Sequence, residues 1–262
     1  MSASSFSNVH SVRCMFEEIE QILTVSEVFK IDPAQVEHIK RLKIELKHYI
    51  DLLDRFNQHF LRLGWIYYES LNEPLVIQAV NKANAGEIDV GEQMLVDYFS
   101  PETVEKSLYR AGLYLRAFKP RRRLANLALR DYEEGRYHAC VPVVLALVDG
   151  LVNKLNKGRG GFFKEDVDVS AWNSFAAHDS GLPELSRVIS KSRQAEHTEE
   201  ILIPYRNGIL HGMDLNYDNR TVAAKTWALL FAVVEWGFRV ERGQRNAPPT
   251  KPPMSIAELI EQ

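Results

Sequence analysis

Apolar residues recur at helical spacing along almost the whole chain. Between Asp32 and Leu63, the residues Ile39, Leu42, Leu46, Ile50, Leu53 and Phe56 fall three or four apart and line one face of a long helix. Asp32 offers an acceptor to the free first-turn N–H groups, and Pro33 brings a φ that is already helical. A helix is predicted before it, over Ser4–Leu23. Shorter helices follow over Leu71–Gly86 and Gly91–Ser100. The next, from Ser100 to Phe118, opens on a serine cap, Pro101 and an acidic first turn, and stops at Lys119-Pro120. From Arg121 to Asn156 the pattern gives an antiparallel helical hairpin turning at Gly135, with a very apolar second arm that holds Pro142 near its start. A long loop leads to a short helix over Pro183–Arg193, then the segment His197–Gly212, then a last long helix over Tyr217–Arg242. Alternating β-branched runs are absent, so the fold expected is all-α: a helical bundle with an additional N-terminal helical region. Pro120 marks the boundary between residues 1–118 and 119–246, and residues 247–262 form a proline-stiffened linker with a short amphipathic end.

Composition adds exclusions. The chain has 262 residues, of which 45% are apolar and 26% charged, and its net charge is -3, so nucleic acid would have to meet a local basic patch. The two cysteines, Cys14 and Cys140, have no metal-type neighbours and read as reduced thiols. No histidine, cysteine and aspartate set has ligand spacing, so no metal or cofactor is expected. The apolar run "WALLFAVVEW" is short and interrupted by Glu235, and no signal peptide is read at the N-terminus. A cytoplasmic protein without a membrane span is the expectation.

The segment "IPYRNGILHG", Ile203–Gly212, holds the candidate chemistry. Arg206 and His211 stand five apart among apolar neighbours, between a proline that can start a helical turn and a glycine that can end it. The same kind of pair occurs at Arg41 and His48, where the surrounding helix is heavily charged and the reading is a solvated face. In a continuous helix, residues five apart lie about 140° around the axis. Arg206 and His211 therefore share a site only if the helix ends at His211 or a second subunit completes the site. A half-buried arginine needs an acceptor. Asp149, alone in the apolar run "VVLALVDGLVNKL", is the candidate, either as a structural ion pair or as a group orienting Arg206.

"YRNGILHG", preceded by the hairpin and followed by "YDN…AAKTWALLFAVVEW", resembles the HEPN (higher-eukaryote and prokaryote nucleotide-binding) superfamily over residues 121–242. Arg206, Asn207 and His211 match the family's arginine, polar residue and histidine. The resemblance implies a metal-independent endoribonuclease of toxin or antiviral defence systems. It implies a homodimer with the motifs facing each other, acting on RNA, with an antitoxin or other defence-system protein as a candidate partner. It makes Arg206, Asn207 and His211 catalytic, and Asp149, reached from its place in the apolar run, joins them as a supporting group. Histidine as a residue type can move protons near neutral pH, and arginine offers a permanently cationic fork to a phosphorane-like transition state. The alternative is a non-catalytic helical sensor or interaction module. Some family members are silenced by modification of a tyrosine two residues after the histidine; Met213 stands there instead.

Two further patterns remain. From Lys106 to Arg130 the chain has eight cationic residues and no acidic one, densest at Lys119, Arg121, Arg122 and Arg123. The functional reading is a phosphate-tracking RNA patch; a solvated helix start is the other. In the last helix, Lys225, Ala228, Ala232, Glu235 and Arg239 form a narrow stripe suited to close helix approach, within the molecule or at a dimer interface.

Overall fold

The structure, a computed structural model, describes residues 19–20, 22–24, 32–164, 167–169, 171, 174–177, 181–191 and 196–243, apart from the side chains of residues 45, 46 and 49. Most of the first predicted helix, with Cys14, and the tail from 244 lie outside the described residues. The rest is all-α but for one two-stranded sheet.

Helix α1 (Pro33–Phe60) begins as expected, with the Asp32 carboxylate accepting the Ala34 N–H at 3.0 Å. Arg41 and His48 both stand exposed on it. It runs into a 3-10 turn, Leu61–Leu63, stopped by Gly64 at φ +94°. A Cβ on Gly64 would come within 3.3 Å of Pro204 Cδ and 3.4 Å of Lys225 Cδ, so the turn sits between the motif segment and the last helix. Trp65, Ile66, Tyr67 and Tyr68 follow as buried, non-helical chain through the core.

Helices α2 (Glu73–Asn84) and α3 (Ile88–Tyr98) pack as a pair. The sequence places the start of α3 at Gly91, but the helix begins three residues earlier. Gly91 instead allows close contact: a Cβ there would approach Ala79 O to 2.8 Å. Helix α4 (Pro101–Tyr114) starts at the Ser100 cap and ends before the predicted Lys119-Pro120. Its continuation becomes a 3-10 segment, Arg116–Arg121, because the Glu241 carboxylate accepts from the backbone N–H groups of Arg116 (3.1 Å) and Ala117 (2.8 Å). The hairpin is helix α5 (Arg122–Glu133), Gly135 and helix α6 (Tyr137–Leu155). Helix α7 (Leu182–Ile189), strand β1 (His197–Glu200), helix α8 (Arg206–Leu210), strand β2 (Asp214–Asn216) and helix α9 (Arg220–Glu241) complete the order.

Helix α9 is the central rod. Trp227, Trp236, Ala228 and Ala232 are fully buried, so the alanine stripe packs within the molecule. Among the described residues, α6 and α9 are long and apolar enough to cross a membrane by length and composition alone, but most of the α9 window is buried inside the fold, as a core helix is. The core they share extends from Leu52 to Trp236 and passes across Pro120 without a break.

The charges on α9 are met by the N-terminal half. Lys225, 1% exposed, places Nζ 2.6 Å from Glu92 Oε1 and 2.6 Å from Leu202 O, below the Trp65 ring. Trp65 Nε1 donates to the same Glu92 oxygen at 3.0 Å. Burial pulls the Lys225 ammonium below its ordinary pKa, and Glu92 acts against that fall. Glu235 accepts the Glu69 N–H at 2.7 Å and the Ser70 N–H at 2.9 Å. Burial pushes its carboxyl up to about 7. Arg239 pairs with Glu69.

Removing one partner of a buried pair strands the other charge. Lys225→Met should therefore lower unfolding stability in urea by about 3–5 kcal/mol, and Lys225→Met/Glu92→Gln should recover most of that loss. Glu235 has a folded pKa above its ordinary value, so its contribution is full below about pH 4.5 and disappears as pH rises to about 7. Glu235→Gln removes this slope. Measured by urea unfolding, its stability relative to wild type should rise by about 1–3 kcal/mol between pH 4.5 and 7.5.

Candidate functional site around Arg206 and His211

Helix α8 is the crossover between two parallel strands. His197 pairs with Asp214 and Glu200 with Asn216, and the bonds His197 N–H to Met213 O (2.7 Å) and Ile201 N–H to Asn216 O (3.1 Å) close its two ends. The turn stops where the sequence placed its stop. Leu210 is its last residue, His211 its C-cap, and Gly212 takes φ +69°. Gly212 N–H reaches Ile209 O (3.2 Å) and Met213 N–H reaches Gly208 O (2.7 Å), the paired bonds of a Schellman motif. Asn219 fixes the far side: its Oδ1 caps α9 at Val222 N–H (2.9 Å) and its Nδ2 donates to Ile201 O (2.8 Å).

Arg206 opens the helix and is half-buried. Its Nη1 donates to Asn207 Oδ1 at 2.9 Å, and Asn207 Nδ2 donates to Ser190 O at 2.9 Å. A relay from the end of α7 thus orients the guanidinium. The Phe163 ring lies under it, 5.4 Å from the guanidinium carbon to the ring centroid. Arg206 Nε is buried and meets no hydrogen-bond acceptor among the described residues. Such a donor is rare in native proteins and calls for a physical account. The motif histidine is different: His211 is exposed. Arg206 and His211 make no hydrogen bond to each other; one chain presents an oriented cation at the start of one short turn and a solvent-facing imidazole at its end.

Asp149 does not accept from Arg206. Its Oδ1 instead accepts the Phe163 N–H at 3.4 Å, in the glycine loop that follows α6. A Cβ on Gly161 would lie 2.0 Å from that oxygen, so the loop closes over the carboxylate only because residue 161 is glycine. Asp149 acts on Arg206 at one remove, by holding the backbone of the residue whose ring supports the guanidinium. Phe163 and the Ser190 carbonyl were not found from the sequence. A phenylalanine in a loop and a backbone oxygen at a helix end carry no spacing signal, and only the fold brings them to Arg206.

The basic run divides. Lys119, Arg122 and Arg123 are exposed. Arg121 is spent internally: Nη1 donates to Ala117 O (2.7 Å) and Nη2 to Gly150 O (2.5 Å), and burial lowers its pKa. It ties the 3-10 segment to α6 through two of its five N–H donors, unlike its exposed neighbours. Among the tyrosines, Tyr67, Tyr68 and Tyr132 are buried, while Tyr109 and Tyr114 are exposed. Cys140 is a buried free thiol, pushed up to about 12 by burial and then by Asp131. Among the described residues, no group of three His, Cys, Asp or Glu side chains could hold a metal ion.

Comparison of the chain with protein-family models, curated proteins and solved structures found no match. The functional reading therefore rests on the residues and their geometry.

The glycine loop gives a direct check on the Asp149 contact. Gly161→Ala should cost about 1–3 kcal/mol in urea unfolding, through collision with the Asp149 carboxylate. Asp149→Ala in the same chain should remove part of that penalty, a coupling read from the double-mutant cycle.

Proposed function

We propose that the chain is a metal-independent endoribonuclease of the HEPN type. Arg206 binds the scissile phosphate and stabilises its transition state, and His211 moves the proton. The observation that carries this reading is the state of Arg206. Its Nη1 is held by Asn207 and its face by Phe163. A guanidinium fixed in advance needs little reorganisation when charge develops on phosphorus, and its fork suits phosphate oxygens.

In the reaction proposed, the 2′-hydroxyl attacks the adjacent phosphorus. The O2′–P bond forms and the P–O5′ bond breaks. The hydroxyl proton passes to a base and the leaving O5′ receives one from an acid. The products are a 2′,3′-cyclic phosphate and a 5′-hydroxyl. One chain offers one exposed histidine on the motif turn, so a second copy facing it provides the other proton carrier. The exposure of His211 suits such an arrangement. The exposed Lys119, Arg122 and Arg123 would follow the RNA backbone. A cytoplasmic role in toxin or antiphage defence, with a partner protein that restrains cutting, belongs to the same proposal.

Wild type should cut mixed cellular RNA in EDTA and leave cyclic phosphate ends, read by end-specific ligation. His211→Ala should reduce the rate by about 10²–10⁴ and Arg206→Ala by about 10²–10³. Asn207→Ala should give a smaller loss, because it loosens Arg206 without removing it. Light scattering should return twice the 30.0 kDa chain mass. If wild type leaves RNA intact, the chain is a non-catalytic helical module; if His211→Ala cuts as fast as wild type, the cleavage does not come from the Arg206–His211 turn and the assignment fails.

A further inference from the structure

A second site lies between α4 and α9, with the Glu69–Ser70 backbone at its base. The cavity measures 510 Å³, within the range of about 300–1,000 Å³ common for small-molecule sites. Phe231, Val234 and Phe238 of α9 and Ala111 of α4 form its apolar wall. Tyr114 is 63% exposed and meets Phe238 edge-on at 6.2 Å, so an aromatic face remains open to an occupant.

The polar groups decide the sign of the ligand. A cation would turn to a carboxylate, yet both are engaged. Glu235 already accepts the Glu69 and Ser70 amides through its two oxygens, and Glu69 pairs with Arg239. Arg110 is the contrast. It lines the cavity, stands exposed on the same face of α4 as Tyr114, and makes no ion pair or hydrogen bond with a described residue. An exposed guanidinium next to an aromatic slot suits a planar apolar body that ends in an oxyanion, because the fork matches a carboxylate, sulfonate or phosphate.

We propose that this cavity binds an aromatic organic anion, with its ring between Tyr114, Phe231 and Phe238 and its acidic group on Arg110. The site stands apart from the Arg206 turn and does not depend on the ribonuclease reading. Nothing covalent is involved.

The test uses the full chain and the probe 8-anilinonaphthalene-1-sulfonate, titrated by fluorescence. N-phenyl-1-naphthylamine, the same ring system without the sulfonate, serves as the neutral counterpart. The expected result is one saturable site per chain that prefers the sulfonate at least tenfold. Arg110→Glu should weaken the sulfonate at least tenfold and leave the neutral amine within about twofold. Ser107→Trp, which fills the slot from α4, should abolish both. Arg130→Glu, an exposed arginine of α5, should change neither. Circular dichroism melts confirm that each variant is folded, and Arg110→Glu alters only an exposed side chain. Non-saturable fluorescence, equal affinity for the two probes, or sulfonate binding unchanged by both Arg110→Glu and Ser107→Trp overturns the proposal.

Discussion

The structure depends on a buried helix whose charges must all find partners. Helix α9 has tryptophan and alanine packed on most sides, yet it carries Lys225, Glu235, Arg239 and Glu241. An unpaired charge at such depth costs several kcal/mol, on the order of a whole domain's net stability. Each is met by a residue from before position 118: Lys225 by Glu92, Glu235 by the amides of Glu69 and Ser70, Arg239 by Glu69, and Glu241 by the amides of Arg116 and Ala117. Apolar burial supplies most of the driving force for packing the rod. The charges select one register, because a slide of one residue would leave all of them unmatched.

That register also sets the motif turn. Lys225 reaches Leu202 O, Asn219 reaches Ile201 O, and Gly64 lies against Pro204. The chain just before Arg206 is thus held from three directions, all tied to α9 or to the turn after α1. The strands on either side close the crossover, and the Schellman bonds at Gly212 end it. A five-residue helix has little intrinsic stability. Its geometry is imposed by its surroundings, which is how one short turn can hold an oriented arginine at its start and an exposed histidine at its end.

Two charged residues that looked functional in the sequence turned inward. Asp149 sits beneath the glycine loop and reaches Arg206 only through the backbone and ring of Phe163. Arg121 binds two carbonyls where the 3-10 segment meets α6. In both cases the half-buried group is met by backbone atoms. Linear spacing reveals such partners poorly, because every residue carries the same backbone donor and acceptor. By contrast, Lys119, Arg122 and Arg123 stay in solvent, as their charge suggested.

The sequence by itself determined the helical class, the starts of α1 and α4 at Asp32 and Ser100, the hairpin turning at Gly135, and the stop of the motif turn at Gly212. These are local effects. Periodicity, capping oxygens and glycine φ act within a few residues of the positions that encode them. Tertiary structure decided the rest. It set Gly91 inside α3 as a contact with α2, ended α4 early on the Glu241 carboxylate, and buried the alanine stripe within the chain. It brought Phe163 and Ser190 to Arg206, and it opened an aromatic slot beside Arg110. Each outcome depends on where a distant segment packs, and the free energy that places it comes from burying shared surface. No residue carries that information alone.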